Sequence, residues 1–115
     1  MIFEAFDVVI VPFPFTDRSA EKRRPALVLS DSEAFNRSAG HLVLAMITSA
    51  QNSRWPLDVP IAEPAAAGLS SPSIVRMKLF TLDTRLILRK AGALGLGDRK
   101  TVAAALEGLF KIVLV

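Results

Sequence analysis

A chain of 115 residues fits one domain with one core, and it is 51% apolar and 22% charged, a balance that excludes a disordered or fibrous protein. Fourteen Lys and Arg against eleven Asp and Glu leave a net charge of +3, too mild by itself to identify a nucleic-acid binder. With no cysteine and a single histidine, His41, neither a disulfide framework nor a His-rich metal centre is available, and no cofactor is expected.

The N-terminal stretch carries Glu4 and Asp7 instead of a basic leader, and no run approaches the roughly 20 apolar residues of a membrane span. The expectation is a cytoplasmic protein with no membrane partner. Residues Asp7 to Val11 are rich in β-branched side chains and read as a strand that Pro12 and Pro14 stop. A charged loop follows, in which Asp17, Arg18, Glu21, Lys22, Arg23 and Arg24 crowd together, before a short apolar strand from Ala26 to Leu29 that ends at Ser30. Ser30 or Asp31 can cap a helical turn reaching Phe35. Arg37, Ser38 and Gly40 then turn the chain into the apolar run Leu42 to Ile47, a third and central strand.

Thr48 to Arg54 reads as a polar loop, and Leu57 to Ile61 as a strand that Pro60 keeps near an edge. Pro64 to Pro72 is a connection rich in Pro, Ala, Gly and Ser, too short to separate domains. From Ser73 to Leu79 the pattern alternates, with Val75, Met77 and Leu79 on one side and Arg76 and Lys78 on the other, which predicts one buried face and one wet, basic face. Asp83 can cap a single turn through Arg85, and Leu86 to Ala91 is the last strand. Asp98 offers an N-cap to a terminal helix, on which Val102, Leu106, Leu109, Phe110 and Val113 form one stripe. Short strands followed by one helix, in a single domain spanning residues 1 to 115, predict a mainly β fold with a C-terminal helix. Its edges must close or be covered, as in a small SH3-like barrel.

Four segments, in order, resemble the MazF/PemK toxin family: DVVIVPFPFTD (Asp7 to Asp17), RRPALVLS (Arg23 to Ser30), AMITSA (Ala45 to Ala50) and PSIVRMKLFTLD (Pro72 to Asp83). With the terminal helix they cover almost the whole chain. The resemblance implies a homodimeric SH3-like barrel that cuts single-stranded RNA as an endoribonuclease and is neutralised by a cognate antitoxin protein. It carries a catalytic role to Arg24, the Arg before Pro25, and to Thr48, the Thr after Ile47. Phe6 departs from the pattern, because such sequences usually show Gly before the Asp; an altered first turn with an unaltered site is expected.

Cleavage of an RNA backbone by its own 2′-OH needs neither a covalent protein nucleophile nor a metal; the protein must hold the hydroxyl in line and stabilise charge on the phosphorane oxygens. A guanidinium is always charged and forks onto two phosphate oxygens, so Arg24 suits charge stabilisation and leaving-group protonation better than general-base work. Thr48 would donate or relay a hydrogen bond at the same phosphate. Lys22, Arg23, Ser49, Arg76 and Lys78 are the candidate RNA-binding residues.

Plainer readings stand beside these. Arg24 could pair with Glu21 or Asp17, Thr48 and Ser49 could satisfy local backbone groups, and the basic residues could be merely solvated. Trp55 could stack on an unpaired base or pack beside Pro56, and His41 reads as an ordinary strand-end residue. Two rival functions remain on the same fold: a non-enzymatic poison of DNA gyrase like the CcdB proteins, and a nucleic-acid-binding barrel without catalysis.

Overall fold

The computed structural model describes residues 2–12 and 23–111. Asp17, Arg18, Glu21, Lys22 and Val113, all singled out above, lie outside the described residues. Six strands form one antiparallel sheet in the order β4-β5-β3-β2-β1-β6: β1 (Asp7–Pro12), β2 (Arg23–Val28), β3 (His41–Ser49), β4 (Val59–Pro60), β5 (Ser73–Asp83) and β6 (Arg89–Ala93). The sheet curls into a half-barrel, and helix α2 (Leu96–Phe110) packs on it. The mainly β fold with a C-terminal helix is as expected, with β3 central and β4 at an edge.

Alternation along each strand explains why the sheet is buried on both faces. Val8, Leu27, Ala45 and Ile47 join Val75, Met77 and the α2 residues Val102, Ala105 and Leu106 in one cluster. Their neighbours Val9, Val11, Ala26, Val28, Leu42 and Leu44 form a second cluster with Phe3 on the other face. β5 serves both. Its first half gives Val75 and Met77 to the first cluster, and its second half packs Phe80 and Leu82 against the second. The switch occurs at a bulge, where the register jumps from Ala45 opposite Leu79 to Met46 opposite Arg76.

That bulge overturns one expectation. Strict alternation placed Arg76 on a wet face with Lys78, yet Arg76 is buried like its neighbour Met77, whereas Lys78 is exposed. Other differences concern boundaries. β2 begins at Arg23 and β3 runs through Ser49, so Arg24, Thr48 and Ser49 belong to strands, not loops. The turn capped by Asp83 extends over Thr84–Leu86 and delays β6 to Arg89. There the Arg85 side chain, and then its backbone N–H, hold the Asp83 carboxyl below the usual carboxylate range. Asp31 caps the helical turn Ser32–Asn36 by accepting from the Ala34 N–H, and α1 (Arg37–Ala39) follows.

Asp98 does not cap α2, whose N-cap is Gly95. Its buried carboxylate accepts instead from the N–H groups of Ala62 (2.9 Å) and Glu63 (3.1 Å), tying the helix to the segment after β4. Leu109 and Phe110 stay exposed, so the buried stripe of α2 consists of Val102, Ala105 and Leu106. Phe6 sits at φ +73°, the left-handed conformation a glycine would adopt, so the first turn is kept. Its N–H reaches the Val28 carbonyl (2.7 Å), and the Arg99 guanidinium lies 5.4 Å from the centre of its ring.

Gly68 (φ +74°) locks the connection after β4 onto β6, because a Cβ there would lie 2.1 Å from the Ala91 carbonyl oxygen. Gly40 has a similar φ of +65° but open space around it. Replacing Gly40 by Ala is therefore expected to cost about 1 kcal/mol from backbone strain alone, and Gly68→Ala clearly more, in urea denaturation of the two variants. Equal losses would contradict the close approach of Gly68 to β6.

Candidate functional site

The register of β2 on β3 brings the two principal candidates together. Ala26 lies opposite Met46, and continuing that pairing by two residues sets Arg24 level with Thr48 at the end of the sheet. Both line a cleft of about 300 Å³, together with Ser49, Ser70, Ser71, Ser73 and Arg89. No carboxylate lines this cleft among the described residues, so its two guanidiniums and its hydroxyls make it a receptor for an anion.

Arg24 is half-buried, and its Nε is buried without a hydrogen-bond partner among the described residues. A permanently charged group with an unsatisfied buried donor is costly unless something anionic completes its shell. Glu21 and Asp17, its alternative partners, lie outside the described residues. Thr48 is only 5% exposed, and its Oγ1 accepts a hydrogen bond from Asn52 Nδ2 at 2.5 Å. An oxygen that accepts from an amide keeps its own proton free to donate elsewhere. Ser49 Oγ accepts from the Gln51 N–H at 3.2 Å, while Ser73 Oγ donates to the Ser71 carbonyl at 2.9 Å.

Arg23, His41, Arg76 and Lys78 are not among the residues that line this cleft. Arg76 is 8% exposed, and its guanidinium is committed to Asp58 in a fork of 3.1 and 2.9 Å and to the Ser53 carbonyl at 2.5 Å. The Asp58 hydrogen bond raises its pKa further. Arg76 is thus buried and ion-paired where an exposed side chain was expected, because the strand alternation is broken at the bulge. Lys78 is exposed beside Trp55, and Arg23 is exposed at the start of β2. Lys22 falls outside the described residues. His41 begins β3, seven residues from Thr48 and therefore about 23 Å along an extended strand, where it contacts the Ala39 carbonyl.

Sequence reasoning passed over Arg89, Asn52 and the serines at positions 70, 71 and 73. Arg89 opens β6 opposite Ile10, and only the β1–β6 pairing reveals that it faces the cleft. Asn52 stood in a stretch read as a plain polar loop.

Comparison with known proteins gives one family and one fold. Residues 4–110 match the family described as PemK-like, MazF-like toxins of type II toxin-antitoxin systems. No protein of curated description matches the sequence. Among solved structures, the MazE-MazF complex of Deinococcus radiodurans superposes with a TM-score of 0.74 at 22% identity, covering 97% of this chain and 98% of that one. The Mycobacterium tuberculosis toxin MazF-mt6 gives 0.73 at 23% identity over 94% and 99%. An endoribonuclease in complex with its cognate antitoxin from a mycobacterial species gives 0.72 at 16% identity over 99% and 98%.

The two arginines are expected to respond oppositely to removal. Arg76→Ala removes the ion-pair partner of the largely buried Asp58 carboxylate and should cost about 3 kcal/mol in chemical denaturation. Arg24→Ala removes a group that no described residue satisfies, and should change stability by about 1 kcal/mol or less. Comparable destabilisation by both would contradict the division between a structural and a site arginine.

Proposed function

The chain belongs to the PemK-like, MazF-like toxins of type II toxin-antitoxin systems, and we propose that it is an endoribonuclease that cuts single-stranded RNA at the cleft of Arg24, Thr48 and Arg89. The observation that carries this reading is the pair of guanidiniums beside a buried, oriented hydroxyl in a cleft that no carboxylate lines among the described residues.

The RNA supplies its own nucleophile. The 2′-OH attacks the adjacent phosphorus, the bond to the 5′ oxygen breaks, and the strand ends become a 2′,3′-cyclic phosphate and a 5′-OH. Negative charge rises on the non-bridging oxygens, where Arg24 and Arg89 stabilise it and Thr48 donates the proton that Asn52 leaves free. Arg24 also stands to protonate the departing 5′ oxygen; a guanidinium is too weak a base to take the 2′ proton at neutral pH, so that proton passes to solvent water, which in turn restores the proton Arg24 gives up. Charge stabilisation is assigned to the two guanidiniums and the Thr48 hydroxyl; among the described residues no three His, Cys, Asp or Glu gather as metal ligands. Ser49, Lys78 and Arg23 are assigned to the flanking RNA backbone, as is Lys22, which lies outside the described residues. Arg76 is not, because its guanidinium is spent on Asp58.

Two protein partners belong to the same reading. Ile2, Leu86 and Leu88 are exposed around cavities lined by Phe3, Ile87 and Arg89, and a second copy of the chain placed there would cover them and border the cleft. The second partner is a cognate antitoxin, since solved neighbours include toxin-antitoxin complexes. An acidic, disordered tail of such a protein would compete with RNA for the basic cleft. A plain binding barrel would have Arg24 neutralised by a carboxylate, and among the described residues none lines the cleft.

An RNA oligonucleotide carrying one 2′-deoxy sugar immediately 5′ of the cut should bind nearly as well as the unmodified strand, because phosphates supply most of the affinity. It should remain intact. The unmodified strand should yield a 2′,3′-cyclic phosphate and a 5′-OH at an unchanged rate in chelator, and duplex RNA should resist. Cleavage of the deoxy strand, or a 5′-phosphate product, would overturn the mechanism. Gyrase inhibition without RNA cleavage would favour the CcdB-like poison.

A further inference from the structure

The loop between β3 and β4 leaves the cleft at Ser49 and presents the chain's single tryptophan, Trp55, which is 41% exposed. A large aromatic surface open to water needs a reason, and this one is held open by construction. Trp55 to Asp58 form a tight turn closed from the Asp58 N–H to the Trp55 carbonyl at 3.2 Å, with Pro56 at its second position and Leu57 at φ +65° at its third. That is the pattern of a type II turn, in which Gly is preferred where Leu57 stands. The Leu57 side chain lies against α2 near Gly108, an anchor that offsets its strained backbone.

The same turn is clamped from below. The Asp58 carboxylate accepts from the Trp55 N–H at 3.0 Å and is itself gripped by the buried Arg76, which also holds the Ser53 carbonyl. The backbone is therefore fixed on both sides of Trp55, so little conformational entropy is lost when the ring binds something. The exposed Lys78 ammonium stands 4.6 Å from the ring centre. At its other end the loop gives Asn52 to Thr48, which makes platform and cleft parts of one short segment.

Resting on the reading of this chain as an RNA-cutting toxin, we propose that Trp55 is a stacking platform for one unpaired base flanking the cut, and that Lys78 holds that nucleotide's phosphate. A ring beside a flexible cation matches the two chemical halves of a nucleotide, an aromatic base and a phosphate. Arg76 and Asp58 do not touch the RNA; they are positioning residues that hold the platform.

The absence of any other Trp, and of Tyr, lets the ring report on itself by fluorescence. The probe is a single-stranded RNA spanning a cut mapped with the wild-type protein, blocked by one 2′-deoxy sugar at the cut. Binding should quench Trp55 emission. Abasic substitution along the oligonucleotide should find one position that abolishes the quenching and weakens binding about 5- to 150-fold. With cleavable RNA, Trp55→Leu should raise KM by a similar factor while kcat holds, and Trp55→Phe should restore most of the loss. Lys78→Gln should lower the salt dependence of binding by about one phosphate, a slope change of about 0.7. If the wild type cuts and binds RNA but its emission does not change, or no abasic position matters, or Trp55→Leu keeps its KM, the platform is refuted and the nuclease reading stands. If the wild type neither binds nor cuts RNA, the nuclease reading fails first and this proposal with it. Quenching by a cognate antitoxin but not by RNA would assign the ring to a protein interface and refute the proposal.

Discussion

The site depends on one constraint, the register of β2 on β3. β2 reads RRPALV, charged at one end and apolar at the other, and Ala26, Leu27 and Val28 are fully buried while Arg23 is exposed. A slip of two residues toward the sheet centre would drag Arg24 into the position of Ala26 and bury a permanent charge without a partner, a heavy penalty. A slip of one would exchange the residues of the two core clusters. The observed pairing of Ala26 with Met46 avoids both and leaves Arg24 at the rim, level with Thr48. The cleft follows from how the core packs.

A second constraint divides the arginines. Arg76 is buried and committed to Asp58 and to the Ser53 carbonyl, whereas Arg24 is half-buried with its Nε unsatisfied among the described residues. Both come from β strands; among the described residues, what separates them is that Arg76 has a carboxylate partner and Arg24 has none. The satisfied one stiffens the loop after β3, and through Asn52 that stiffness reaches the Thr48 hydroxyl. Arg24 lines the same cleft as Thr48, where the proposed function places the phosphate. Catalytic electrostatics require this kind of preorganisation, in which donors are fixed before charge develops.

Much of this was legible in the sequence, for physical reasons that also explain the failures. β-branched runs and proline stops located β1, β3 and the edge strand β4, since those signals are local. Arg24 and Thr48 were found through motifs whose spacing resembles a known family, because neither periodicity nor charge distinguishes them from solvated neighbours. Arg76 was misplaced because alternation presumes an unbroken ladder, and the bulge opposite Ala45 and Met46 has no signature in SIVRMKLF. Asp98 looked like a helix cap because its true partners, the N–H groups of Ala62 and Glu63, are more than thirty residues away. Arg89 was missed for the same reason: its role depends on β6 pairing with β1. Phe6 kept a glycine's conformation because tertiary contacts, with the Val28 carbonyl and with Arg99, hold the turn around it.

The central claim is that Arg24 acts on the transition state by forked, fixed contact with the phosphate and not merely by carrying positive charge. The most direct measurement is the single-turnover cleavage rate of Arg24→Lys, taken with its dissociation constant for blocked RNA. A lysine preserves the charge but loses the fork. The account predicts a rate at least about a hundredfold below wild type with binding changed only a few-fold. A variant that binds equally well and cuts at the wild-type rate would contradict it.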